Sequence, residues 1–161
     1  MKKSILLSTV LLCSTIIANQ NSDLSEMTEL QQGVELLEAT YNAAVKSYDN
    51  IKEYELNMEN SIKEYMLNCA KNENNAKNLD NVKQETIKTI DLLASKTSKT
   101  EAFAITGMMF TLIFTKIMET LETEVSDQKE IDNLNIGAEE ISKFIEEFFI
   151  LPMQEQQEAT E

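Results

Sequence analysis

The side chains able to do chemistry in this chain are few. They are two cysteines, Cys13 and Cys69, four tyrosines, and an excess of carboxylates that includes the adjacent pairs Glu139 with Glu140 and Glu146 with Glu147. There is no histidine. That removes histidine triads, zinc sites with histidine ligands, histidine-ligated haem and the Glu-x-x-His pairs of di-iron bundles. Carboxylate, lysine or cysteine chemistry remains, but the sequence has no glycine-rich phosphate loop, no Cys-x-x-Cys and no EF-hand pattern of carboxylates around a glycine. Paired carboxylates on an acidic amphipathic helix fall on its solvated face without any catalytic role. The expectation is a non-enzymatic protein with no catalytic, cofactor-binding or metal-binding residues and no cofactor.

The two cysteines divide by position. Cys13 lies within 1–18, where Lys2 and Lys3 precede an apolar and hydroxyl-bearing core from Ile5 to Ile17, the pattern of an export signal peptide. That core is too short to span a bilayer comfortably. Cleavage is expected after Ala18, although Ile16 is bulkier than the small residue usual at that position. Leu11 and Leu12 are also larger than the residues that precede a lipidated cysteine, which disfavours acylation of Cys13. The expected location is secreted or extracytoplasmic, meaning periplasm or cell surface for a bacterial source. Once the signal is removed Cys69 is the remaining thiol, and an odd cysteine in a secreted chain can form an intermolecular disulfide. The stronger expectation for Cys69 is a small hydrophobe on a helix seam.

That seam comes from a heptad pattern. Met27, Val34, Tyr41, Tyr48, Glu55, Ile62 and Cys69 occupy one position, and Leu30, Leu37, Ala44, Ile51, Met58 and Tyr65 the other. An apolar repeat every 3.5 residues keeps one face of a helix toward a partner. The spacing predicts a continuous helix from Met27 to about Ala70, roughly 65 Å long. Glu55 is the one non-apolar seam residue; a local outward turn or a lysine partner is favoured over a register-setting contact.

Beyond it, the asparagines between Lys71 and Asn81 mark a reversal. A second helix follows, its apolar face drawn from Leu79, Val82, Ile87, Ile90, Leu93 and Ala94. A break is expected at 95–98, with Ser98 and Glu101 forming a capping box for a third helix, Lys99 to Val125. Phe103, Ile105, Met108, Met109, Phe110, Leu112, Ile113, Phe114 and Ile117 cover most of that helix, leaving a small-residue stripe at Gly107, Thr111 and Thr115. A helix apolar nearly all round is central in a bundle or lies inside a membrane. The uncharged run Ala102 to Thr115 reaches about 21 Å, short of the hydrocarbon core, so burial is expected and membrane insertion of 102–118 is the second reading. Asp127 and Glu130 open a last helix with Ile131, Leu134, Ala138, Ile141, Ile145 and Phe148 on one face, widened by Phe144 and Phe149. Asn133, Asn135 and Gly137 weaken its first turns. Pro152 stops it, leaving 152–161 as an acidic tail whose composition predicts disorder.

With 161 residues, three glycines and one proline, the chain supports a single all-α domain over 19–151. We expect an elongated antiparallel helical bundle of three to four helices, built on a long coiled-coil-like hairpin. The third helix would lie beside the N-terminal half of the first, near Val34, Tyr41 and Tyr48. Tyr41, Tyr48, Tyr65, Met27, Met58, Met108 and Met109 could line an apolar pocket, but at helical spacing they read as ordinary core. The formal charge is −14, and loss of Lys2 and Lys3 with the signal makes it −16. Such a chain repels nucleic acid and anionic membrane surfaces. The functional expectation is a secreted non-enzymatic interaction or structural protein, an exported effector or surface component, with a protein partner or a second copy of itself. The alternative is a membrane-active or pore-forming helical protein.

Overall fold

A computed structural model describes residues 29–46, 48, 50–71 and 76–150. The expected signal peptide (1–18), the expected start of the first helix at Met27 and the expected disordered acidic tail (152–161) lie outside the described residues. The described chain is all-α, with five α-helices: α1 (Glu29–Val45), α2 (Ile51–Ala70), α3 (Ala76–Ala94), α4 (Lys99–Glu124) and α5 (Gln128–Ile145). A π-helical turn, Glu146–Ile150, extends α5.

The expected continuous first helix is two helices. Ser47, Asp49 and Asn50 are weak helix formers, and Asn50 takes the left-handed conformation (φ 69°), which asparagine tolerates better than most residues. The amide of Tyr48 closes on the Val45 carbonyl at 3.0 Å, and the Glu53 amide starts α2 on the Asn50 carbonyl at 3.1 Å. In an unbroken helix Tyr41 and Glu55 would stand about 21 Å apart along the axis. Instead the Tyr41 hydroxyl donates to Glu55 Oε1 at 2.7 Å, so the chain folds back at the break. The heptad survives this interruption in burial if not in continuity: Leu37, Tyr41, Ile51, Met58, Ile62, Tyr65 and Cys69 are all in the core. A repeat of apolar residues specifies which side is covered, and it is silent on whether the backbone between two covered segments stays straight.

Capping fixes the later boundaries. Ser98 accepts the Glu101 amide at 3.1 Å at the start of α4, while the Glu101 carboxylate accepts from Thr97. Asp127 accepts the amides of Lys129 and Glu130 at 2.9 and 3.2 Å and opens α5. Both caps fall where the capping-box pattern predicts.

Packing centres on α2 and α4. Helix α2 touches α3, α4 and α5, and α4 also touches α1 and α3. The contact of α1 with α4 is the one expected between the N-terminal seam and the phenylalanine-rich helix, and Lys116 of α4 reaches Glu38 of α1 at 3.2 Å. On α3 the buried stripe is Val82, Thr86, Thr89, Ile90 and Leu93, with Leu79 and Ala94 half-buried. Ile87, expected on this face, is 47% exposed. The two threonines take the inward positions because each hydroxyl donates to the carbonyl four residues earlier, Thr86 to Val82 and Thr89 to Glu85, both at 2.8 Å. Thr106, Thr111 and Thr115 do the same inside α4. A buried hydroxyl satisfied within its own helix costs the core little and presents a methyl group outward.

Candidate functional site

Helix α5 docks on α2 through three contacts that read in order along both helices. The Asn133 amide donates to the Ala70 carbonyl at 3.1 Å, one of the carbonyls that the C-terminus of α2 leaves without an intrahelical partner. Gly137 lies against Cys69: a Cβ at Gly137 would stand 2.5 Å from Cys69 Sγ and 2.9 Å from its Cβ. The Tyr65 hydroxyl donates to Glu140. Numbers rise along α5 as they fall along α2, so the pair is antiparallel. Asn133, Asn135 and Gly137 are poor helix formers. Two of them serve this interface, and α5 is nonetheless helical from Gln128.

Tyr65, Cys69 and Glu140 form a cluster of ionisable groups at this interface. Tyr65 is 0% and Cys69 5% exposed. Burial is the main cause that pushes the Tyr65 phenol well above its ordinary range, followed by its bond to Glu140 and by the neighbouring Cys69 thiol. Burial also pushes the Cys69 thiol up, opposed by the Tyr65 hydroxyl and assisted by the Glu140 charge. Both groups therefore hold their protons at neutral pH. A protonated thiol is neither a nucleophile nor a metal ligand, and a protonated phenol is not a base. A disulfide from Cys69 to another chain would first require α5 to leave α2. Tyr41 and Glu55 repeat the arrangement at the α1–α2 fold-back, where burial and then the Glu55 bond raise the Tyr41 phenol. Glu55 is thus a partner for a tyrosine rather than for a lysine, a contact without a sequence signal because the fold-back itself was not legible.

The candidate membrane segment is divided among neighbours. Ile105, Met109, Phe110, Leu112, Phe114 and Ile117 are buried, and Phe103, Met108 and Ile113 are half-buried against the same core. Helix α4 is long and apolar enough to cross a membrane, and most of its apolar stretch lies inside the fold. The Gly107 side of its small-residue stripe receives Phe149, whose ring would be 3.1 Å from a Cβ placed there. Phe103, Phe110, Phe144, Phe148 and Phe149 gather around this point, with ring centroids 5.0 to 6.2 Å apart. Offset and edge contacts at these spacings add to the burial of each ring.

One surface groove combines apolar and cationic groups. It lies between α2 and α4 with a volume of about 460 Å³, walled by Leu56, Ile113, Ile117 and Leu121 and rimmed by Lys52, Lys63 and Lys116 with Glu55 and Glu59. Leu56 is 55% exposed. A second groove, between α2 and α3, is lined by polar side chains, among them Asn57, Asn60, Asn81 and Gln84. Among the described residues no group of three or more histidine, cysteine, aspartate or glutamate side chains is placed to hold a metal. Compared with known proteins, the chain matches no family model, no curated protein and no solved structure.

Proposed function

We propose that the chain is an exported, non-enzymatic interaction or structural protein that works as a rigid helical scaffold, an effector or surface component of its source. The observation that carries this reading is the use made of the reactive side chains: Tyr41, Tyr65, Cys69, Glu55 and Glu140 are spent on helix–helix contacts. The phenols and the thiol are buried in their protonated forms. What remains outward is an acidic surface suited to recognition rather than turnover. Its overall shape is that of an elongated antiparallel bundle, with α4 alone about 39 Å long. Expression of the full chain in a secreting host tests export: the product is expected in the medium, beginning at Asn19, and retention inside the cell with Met1 in place would contradict it. The mass and small-angle scattering profile of that product would check elongation, self-association and any disulfide at Cys69.

A membrane-active role is the second reading, supported by the length and apolarity of α4. It requires the core to open, since Phe110 is fully buried. Leakage of neutral vesicles that is lost in Ile113→Asp, with the helical circular-dichroism signal retained, would favour it over the scaffold.

A further inference from the structure

Helices α1 and α2 share one heptad phase although the chain reverses between them. Val34, Tyr41 and Tyr48 are followed at steps of seven by Glu55, Ile62 and Cys69, and Leu37 and Ala44 by Ile51, Met58 and Tyr65. Two helices joined by a fold-back each turn their own face to the core, so the folded-back chain does not require the phase of α1 to continue into α2. A straight helix does require it. We propose that α1 is an exchange arm: in a dimer, α1 and α2 run on as one helix and each α1 packs on α4 of the second copy.

Two further observations support it. The first is the turn. Asn50, at φ 69°, is the one residue other than glycine with a positive φ among the described residues, and its side chain makes no capping bond to α2. Residues 46–50 contain neither glycine nor proline, the residues that ordinarily fix a tight reversal. Straightening the chain returns Asn50 to the negative φ that its chirality favours. The second is what the arm touches. Helix α1 packs on α4, its Tyr41 donates to Glu55 at 2.7 Å, and its Glu38 meets Lys116 at 3.2 Å. Each of these contacts can be remade with a second copy without altering a residue, which makes exchange of an identical element a low-cost route to a dimer. The register agrees. Tyr41 and Glu55 stand seven residues before and after Tyr48, so two straight helices crossing antiparallel at Tyr48 set Tyr41 of each copy level with Glu55 of the other. That is the pairing found in the fold-back. The joined helix, from Glu29 to Ala70, is about 63 Å long. The inference is independent of export and gives the scaffold a second copy of itself as partner.

Light scattering of the full chain across concentrations, for the parent, Asn50→Ala and Asn50→Gly, tests the turn. Asn50 is exposed, so both variants are expected to keep their helical circular-dichroism signal. Alanine favours the straight helix and glycine the left-handed turn. The dimer fraction is therefore expected to rise several-fold in Asn50→Ala and to fall in Asn50→Gly. Arm exchange itself is read by mixing nitrogen-15-labelled with unlabelled Asn50→Ala chains, unfolding and refolding them together, and applying zero-length carbodiimide cross-linking to the dimer and monomer fractions. The Glu38–Lys116 link is expected to join differently labelled chains in the dimer and to stay within one chain in the monomer. No dimer even in Asn50→Ala, or equal dimer fractions in the alanine and glycine variants, would overturn the proposal. A dimer whose Glu38–Lys116 links stay within one chain would also overturn it, in favour of side-by-side association.

Discussion

Helix α4 buries apolar or threonine side chains on nearly every side, whereas α5 buries one face, Leu134, Gly137, Ile141, Phe144 and Ile145. The two are held differently. Around α4 the contacts are bulky and interchangeable: rings, methyl groups and thioethers fill volume against α1, α2 and α3. Along α5 the contacts with α2 are specific, namely a glycine that admits a cysteine, an amide that meets a helix-end carbonyl and a phenol that meets a carboxylate. Stability should therefore depend on volume at α4 and on fit at α5, and substitutions can separate the two.

The largest effect is expected at α4. Phe110→Ala removes a ring with no exposure and contacts to Phe144 and Phe149, and should cost about 3–5 kcal/mol by urea unfolding. The tyrosine contacts come next. Burial and carboxylate bonds raise the phenols of Tyr41 and Tyr65, so the folded chain keeps these protons to higher pH than the unfolded chain does. Their contribution is complete below the unfolded pKa near 10 and is lost as pH rises above it, by up to roughly 1.4 kcal/mol per tyrosine for each pH unit. Unfolding curves from pH 9 to 11 should show this loss, and the double variant Tyr41→Phe with Tyr65→Phe should flatten it.

Gly137→Ala turns on sign. Helix propensity alone makes alanine better than glycine by about 1 kcal/mol, but the new methyl group would collide with Cys69. Overpacking should destabilise by roughly 1–3 kcal/mol, and Cys69→Ala in the same chain should recover part of the loss. A stabilised Gly137→Ala would contradict the close approach of α5 to Cys69. The smallest effect is expected from Asn133→Ala, about 1 kcal/mol for the lost bond to the Ala70 carbonyl.

The same contrast explains what could be read from the chain itself. Volume and caps are local properties, so the apolar α4, the Ser98 and Asp127 caps and the inward face of α5 were legible from residue type and spacing. Fit depends on which helices meet. Gly137 and Asn133 register in sequence only as weak helix formers, since their value lies in Cys69 and Ala70, more than sixty residues away. The heptad from Met27 to Cys69 concealed a break because its apolar positions continue across Ser47 to Asn50, although three turn-forming residues stand there. Hydrophobicity alone places Ile87 inward, whereas a threonine bonded to its own helix holds that side instead. The tyrosine–glutamate contacts were out of reach for the same reason as the fold-back that creates one of them.

Helix α4 is the inner helix of the described fold, with most of its apolar stretch covered by neighbouring helices. Hydrogen exchange of its backbone amides, with and without neutral lipid vesicles, tests it most directly. Residues 102–118 are expected to be among the slowest to exchange in buffer alone, and vesicles are expected to leave them unchanged. Fast exchange in buffer, with protection appearing only when vesicles are added, would contradict it.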